Sequence, residues 1–127
     1  MGLANYRELF GEYHLFKIAL GNTAYYAGIS IPLSTALAVG LALLLNLKVK
    51  GMALYRTLFY VPSIVPTIAS AMLWLWILNP QFGLANEILR QLGLPTIGWI
   101  ASPRWSKPSL ILMDLWGVGN AIVIYLA

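Results

Sequence analysis

Three long apolar stretches, at residues 22–46, 57–78 and 109–127, dominate the pattern of the chain. The middle stretch follows Arg56 and contains no charged residue. At a rise of 1.5 Å per residue, a helix of about 20 residues reaches about 30 Å, the thickness of a membrane hydrocarbon core. The pattern therefore predicts an all-α, polytopic membrane protein with about three transmembrane helices.

The first apolar stretch follows an amphipathic segment at 1–21, whose spacing suits a helix that lies at the membrane surface or packs on neighbouring spans. Asn22–Thr23 then offers an N-cap at which the first span is predicted to begin. Within that span, Ser34, Ala38 and Ala42 recur at four-residue spacing. Rows of small residues let helix backbones approach closely, so this face is predicted to pack on another helix.

A short connector at 47–56 carries Lys48, Lys50 and Arg56 and no acidic residue. Its length suits a tight link between antiparallel spans. Lys and Arg are enriched on the cytoplasmic side of membranes, which favours a cytoplasmic connector. Basic residues are as frequent in the segments on the other side, including 79–108, so charge alone leaves the orientation open.

The longest polar stretch, residues 79–108, predicts a short amphipathic helix. Leu84, Ile88 and Leu92 recur every four residues, and Gly93 follows as a helix-ending residue. The polar residues that fill most of the remaining helix surface are Asn86, Glu87, Arg90 and Gln91. After this helix, the third span is predicted to begin near residue 109.

Three prolines, Pro32, Pro62 and Pro66, lie inside the first two apolar stretches. Proline has no backbone N–H and its ring clashes with the preceding turn, so each is expected to kink its helix. Hydroxyl groups placed to serve the carbonyls freed by the second and third prolines belong to Ser63, Thr67 and Ser70. A bent helix of this kind is either purely structural or lines a path, and prolines are compatible with both.

Asp114 is the one charged residue deep in an apolar stretch. At about 100° per residue, Asp114, Gly117 and Asn120 form one broad stripe of the third helix. A carboxylate inside a membrane faces protein or water and is by default a functional candidate. Asp114 also lies close to the start of the span, where a hydrated structural role is equally compatible with the pattern. The stripe is the candidate substrate path of this chain.

Composition restricts the chemistry further. Hydrophobic residues make up 60% of the chain and charged residues 9%, a balance typical of membrane proteins. The chain has no cysteine and a single histidine, and no phosphate-binding glycine-rich loop, so nothing in it predicts a metal site, a cofactor, a catalytic residue or ATP hydrolysis. The net charge of +4 comes from scattered residues, which does not indicate nucleic-acid binding.

An ordered set of motifs resembles the permease subunit of bacterial binding-protein-dependent ABC importers, in the carbohydrate-uptake group that includes maltose and glycerol-phosphate permeases. The motifs are NYRELF at 5–10, the NT of Asn22–Thr23, ALLLN at 42–46, RTLFYVP at 56–62, LWLWIL at 73–78, NPQFGLANEIL at 79–89, GLP at 93–95 and WGVGN at 116–120. Each motif alone is weak evidence for the family, but together the motifs occur in the family's order over nearly the whole chain.

The resemblance implies partners and an orientation. Such permeases pair with a second permease subunit, two cytoplasmic ATPase subunits and an external solute-binding protein, in the bacterial inner membrane. By analogy, the connector 47–56 is cytoplasmic and the segment 79–108 periplasmic. The family's E-A-A…G loop is expected after residue 127, so we expect the chain to be a fragment. Asp114 stands where a small or apolar residue is expected, and the resemblance assigns it no role.

Two alternatives remain open at the level of the sequence. A proton-coupled secondary transporter would use Asp114 as its proton carrier. A membrane anchor or assembly subunit would have no path of its own and would tolerate replacement of Asp114 or Asn120.

Overall fold

A computed structural model describes residues 6, 10, 11 and 13–127 of the chain. All regular secondary structure within these residues is helical. The helices are α1 (His14–Leu45), α2 (Met52–Ile64), α3 (Thr67–Ile77), α4 (Leu84–Gln91), α5 (Ser106–Trp116) and α6 (Gly119–Leu126). Residues 1–5, 7–9 and 12 of the amphipathic segment 1–21, and with them most of the motif at 5–10, lie outside the described residues.

Helix α1 begins earlier than the predicted cap at Asn22–Thr23, which proves to be wrong. Both residues lie inside a continuous helix from His14 to Leu45. The hydroxyl of Thr23 donates to the Ala19 carbonyl at 2.9 Å, so it bonds within the helix instead of capping a new one. The helix also continues through Pro32 without interruption. The amphipathic segment from His14 onward is thus the first part of α1.

The buried core lies where α1 meets α6. Ala38, Ala42 and Leu45 of α1 are buried against Ile122 of α6. The predicted small-residue packing face is confirmed for Ala38 and Ala42, which let the two helices approach closely. Many large apolar side chains elsewhere on the described helices remain exposed. A surface this apolar is suited to contact with lipid or with further protein.

The middle apolar stretch is two helices instead of one bent helix. Val65 is extended (φ −69°, ψ 130°), and α2 and α3 meet there at an angle of 95°. The cause is Pro66, because a residue that precedes proline is disfavoured in the helical conformation. Pro62, by contrast, lies inside α2. At 1.5 Å per residue neither half reaches the roughly 30 Å of a hydrocarbon core on its own.

The third apolar stretch is also divided, and it begins before residue 109. Helix α5 starts at Ser106. Pro108 permits this early start, because it lies in the first turn, where a backbone N–H has no partner within the helix. Helices α5 and α6 meet at 44° across Gly117 and Val118. Among the described residues, α1 alone is long and apolar enough to cross a membrane, and three spans result if each bent pair counts as one.

The connector between α1 and α2 is fastened by Arg56. Its guanidinium donates twice to the carbonyl of Leu45, the last residue of α1, at 3.1 Å from Nε and 2.8 Å from an Nη. A cation at a helix C-terminus satisfies a free carbonyl and complements the helix dipole. Arg56 therefore has a structural role beyond the topological one that its charge suggested.

Candidate functional site

A groove of about 490 Å³ lies between the α2–α3 break and the α5–α6 pair. Its polar lining consists of Tyr26, Ser63, Thr67, Ser70, Asp114 and Asn120. Val65, the extended residue at the helix break, also lines it. Non-helical backbone among membrane helices is stable where it lies against protein or lines a water-filled cavity. The break at Val65 lines the groove.

The structure brings all three residues of the predicted stripe into this groove. Asp114, Gly117 and Asn120 line it together, and Asp114 and Asn120 are exposed. Among the predicted kink residues, Pro62 lines the groove as well. Pro66 lies at the helix break beside it, whereas Pro32 lies in α1 and is not part of its lining.

Asp114 is tied to α1 by a partner that the sequence did not indicate. One carboxylate oxygen accepts a hydrogen bond from the hydroxyl of Ser30, which is buried at 2% exposure. In the part of the chain that the structure describes, no Lys or Arg pairs with Asp114; the ion pair found there joins Glu87 and Arg90 at 3.2 Å. The Asp114 carboxylate thus keeps acceptor capacity toward the groove.

The hydroxyl groups near the helix break do not all act as predicted. Ser63 donates to the Tyr60 carbonyl at 2.7 Å and not to the carbonyl of Leu58. This hydroxyl therefore serves the last turn of α2 while it lines the groove. Thr67 and Ser70 lie on the first turn of α3 and contribute two more hydroxyl groups to the same wall.

Two tryptophans form one wall of the groove. The rings of Trp74 and Trp116 meet edge to face, with centroids 5.9 Å apart. The indole N–H of Trp74 is buried and has no hydrogen-bond partner within the described part of the chain. Buried donors normally find an acceptor, so this N–H is a donor that the present arrangement leaves unused. In the sequence, Trp74 stands out only as part of the LWLWIL motif at 73–78, which does not indicate this position.

The polar segment after α3 is organised by Asn86, which the helical pattern had placed on an outward polar face. The helix over 84–91 and its closure by Gly93 (φ 71°) are as predicted, but Asn86 is the residue that is fully buried. Leu84 and Ile88, which belong to the predicted apolar row, are about half exposed. The helix thus buries a residue of its polar face and leaves much of its apolar row exposed.

The reason is a set of four hydrogen bonds around the Asn86 amide. Its nitrogen donates to the carbonyls of Pro80 (3.0 Å) and Ile97 (2.9 Å). Its oxygen accepts from the Ile97 N–H and the Trp99 indole N–H, both at 3.0 Å. Both amide protons and both acceptor positions are used, which more than offsets the cost of burial. Ser109, also buried, bonds the Trp99 carbonyl at 3.0 Å and joins this segment to α5.

The arrangement offers groups that can bind a polar solute. The groove presents a carboxylate, an amide, hydroxyl groups and aromatic edges, the groups that contact a polar solute. In the described residues no group of three or more His, Cys, Asp or Glu side chains is placed to hold a metal ion. A polar groove at a broken helix, among apolar helices, is typical of an all-α membrane protein.

Comparison with known proteins gives the family. The chain is 35% identical over 129 residues to the probable ABC transporter permease protein YesP of Bacillus subtilis, covering all of the chain and 41% of that protein. It is 32% identical over 116 residues to the trehalose/maltose transport system permease protein MalF of Thermococcus litoralis, covering 91% of the chain and 39% of that protein. No protein-family model matches the chain.

The fold agrees with a solved transporter. A chain of a bacterial ABC transporter involved in the import of the acidic polysaccharide alginate superposes with a TM-score of 0.91 at 26% identity, over 99% of this chain and 45% of that one. The chain belongs to the ABC transporter permease family, and within it resembles the sugar-uptake group. It spans about two fifths of the length of the curated relatives that it matches.

Proposed function

We propose that the chain is part of the membrane-spanning subunit of an ATP-driven importer and forms part of the path for a sugar or related solute. The observation that carries the proposal is the groove at the α2–α3 break, where Asp114, Gly117 and Asn120 meet. Relatives named as trehalose/maltose and diacetylchitobiose permeases support the solute class. The sugar hydroxyl groups would bond to Asp114 and Asn120.

The partners follow from the same proposal. A second permease subunit completes the path, two cytoplasmic ATPase subunits supply the energy, and a solute-binding protein delivers the solute. The binding-protein partnership is supported by a related alginate transporter, solved in complex with a pentasaccharide-bound periplasmic protein. In this assembly the chain carries no enzymatic activity of its own, and ATP hydrolysis takes place in separate subunits.

The proposed location is the bacterial cytoplasmic membrane, crossed several times. The connector 47–56 faces the cytoplasm, and the segment 79–108, organised by Asn86, faces the outside. The exposed apolar side chains of the helices support this location, because they suit contact with lipid and with the second permease. The bent pairs α2–α3 and α5–α6 then surround the groove inside the bilayer.

The proposal is tested with the full-length permease assembled with its three kinds of partner in proteoliposomes. We expect uptake of a radiolabelled sugar, with trehalose, maltose, xylose and an alginate trisaccharide as the panel, to require ATP and the binding protein. Uptake should stop when both ATPase subunits are inactivated. Uptake that survives this inactivation and follows an imposed proton gradient would contradict the proposal and favour the proton-carrier alternative, which the comparisons do not favour.

A membrane-anchor role is distinguished in the same preparation. An anchor without a path would give full uptake when Asp114 and Asn120 are replaced together. A groove that carries solute gives reduced uptake, because both side chains line it.

A further inference from the structure

A second cleft, of about 360 Å³, lies where the first turns of α5 face α1. It is lined by Asn22, Thr23, Tyr26, Ser106, Lys107 and Leu110. The lining holds an amide, three hydroxyl groups and an ammonium group, but no carboxylate. The Thr23 and Ser106 hydroxyl groups donate to backbone carbonyls. The donors that can face a ligand are therefore the Asn22 amide, the Tyr26 hydroxyl and the positively charged Lys107 ammonium.

The cleft adjoins the groove described above. Tyr26 and Leu110 line both cavities, so these two side chains lie at the boundary between them. Lys107 and Asp114 are seven residues apart on α5, which is two helical turns and about 10 Å along one face. A solute that passes through the cleft thus meets Lys107 first and Asp114 two turns later.

The position of Lys107 in its helix is unfavourable for a lysine. It occupies the first turn of α5, at the positive end of the helix dipole, where a cation is unfavourable and an acid is preferred. Its ammonium instead lies 5.1 Å from the ring centre of Tyr25 in α1, a cation–π contact that holds it beside the cleft. An ammonium held there keeps donors for oxygen atoms that enter the cleft.

We propose that this cleft is an outer subsite for the solute, in which the Lys107 ammonium binds hydroxyl oxygens of a carbohydrate and binds carboxylate oxygens of an acidic one more tightly. Lys107 is its specificity-determining residue. The inference rests on the proposed function, because it assumes that a carbohydrate crosses the groove. It adds a recognition step before the solute reaches Asp114.

The first experiment introduces one thiol into the full-length permease, in which any cysteine outside these 127 residues is replaced by serine; the 127 residues themselves contain none. Asn22→Cys places a thiol in the cleft, and Ala101→Cys, outside the cleft, is the matched control. An anionic sulfonate thiol reagent should modify Asn22→Cys several times faster than a cationic ammonium reagent of similar size. Lys107→Met should abolish that preference and Lys107→Arg should keep it. Equal rates for both reagents in Asn22→Cys with Lys107 unchanged would overturn the proposal.

The second experiment measures transport in the complete complex. With the sugar of the panel that the wild type transports, Lys107→Met should raise the KM for uptake about tenfold and leave kcat within twofold, because a hydrogen bond from a charged group is lost outside the groove. Lys107→Arg should restore the wild-type KM. Arg104→Met, an exposed cation outside the cleft, should leave it unchanged. An unchanged KM in Lys107→Met would overturn the proposal.

Protection of the Asn22→Cys thiol from modification shows whether a solute or a lipid headgroup supplies the oxygen atoms that bind in the cleft. The transported sugar should slow the modification of Asn22→Cys in detergent and leave Ala101→Cys unaffected. If phosphatidylglycerol protects Asn22→Cys and the sugar does not, the cleft binds lipid and the proposal is wrong. If the wild-type complex transports no sugar of the panel, the proposed function fails, whereas the reagent preference still reports the charge of the cleft.

Discussion

The carboxylate of Asp114 accepts a hydrogen bond from the hydroxyl of Ser30, which lies 84 residues earlier in the chain. This bond joins α5 to α1 beside the groove. Ser30 is buried, whereas Asp114 is exposed to the groove. The Ser30 hydroxyl therefore fixes the Asp114 carboxylate in place at the groove surface. The contact gives Asp114 a fixed orientation without neutralising its charge.

Asp114→Asn should reduce uptake of the transported sugar by the complete complex. The amide oxygen can still accept the Ser30 hydrogen bond, but the groove loses its charged acceptor. Loss of a charge-assisted hydrogen bond of about 1.5–3 kcal/mol corresponds to roughly a tenfold or greater fall in kcat/KM. Ser30→Ala keeps the carboxylate and should have the smaller effect. Wild-type kinetics in Asp114→Asn would instead assign the carboxylate to a hydrated, structural position.

Asn86→Ala should destabilise the segment between α3 and α5. The substitution removes four hydrogen bonds and leaves the Pro80 and Ile97 carbonyls and two N–H groups without that partner. We expect a loss of roughly 3 kcal/mol in the free energy of unfolding, measured by thermal unfolding in detergent. Limited proteolysis should cut the segment earlier than in wild type.

Gln91→Ala is the matched control for this prediction, because Gln91 lies on the exposed side of the same helix with one long hydrogen bond of 3.5 Å. It should unfold like wild type. Equal stability of Asn86→Ala and Gln91→Ala would mean that water replaces the four bonds without cost.

Gly119→Ala should weaken the contact between α6 and α2. A Cβ at Gly119 would lie 2.7 Å from the Phe59 carbonyl oxygen and 3.0 Å from the Ser63 hydroxyl, so the helices must separate. Overpacking of this kind costs about 1–3 kcal/mol, which is measurable as a lowered unfolding temperature. Gly40→Ala is the control, since a Cβ there meets nothing within 4 Å and alanine favours a helix. A stable Gly119→Ala variant would show that the helix contact is looser than described.

Arg56→Gln should loosen the turn between α1 and α2. It removes the charge and the forked pair of bonds to the Leu45 carbonyl, for an expected loss of about 1–2 kcal/mol in unfolding free energy. Arg56→Lys should recover part of this, because it keeps the charge but not the fork. Lys48→Gln, an exposed cation in the same connector, should have no effect. If Arg56→Gln and Lys48→Gln lose the same unfolding free energy, the bonds from Arg56 to Leu45 do not stabilise the turn, and Arg56 contributes only its charge to the membrane topology.

Much of the fold follows from local pattern. The apolar stretches give helices, the small-residue row at Ala38 and Ala42 packs, and Gly93 ends α4. The first residues of α1 and α5 differ from the predicted ones, because each depends on whether a residue near the predicted start, Thr23 or Pro108, is compatible with a helix. Both are, since a threonine hydroxyl can bond within the helix and a proline fits the first turn.

The candidate site was only partly predictable. The stripe of Asp114, Gly117 and Asn120 follows from helical spacing, and these residues do share one groove. Ser30 gave no signal, because a serine among apolar residues is common and its partner lies on a distant helix. Trp74 was hidden among the other aromatic residues of its motif.

The sequence by itself determined the helical class, the three apolar stretches and the family, and it placed a bend at Pro66. These depend on interactions within a few residues, or on motif order. The tertiary structure alone decided that Asn86 is buried and that Leu84 is not, that Ser30 bonds to Asp114, and that the cleft beside Lys107 adjoins the groove. Each of these depends on groups brought together from distant parts of the chain, and no local periodicity records the hydrogen bonds that they form.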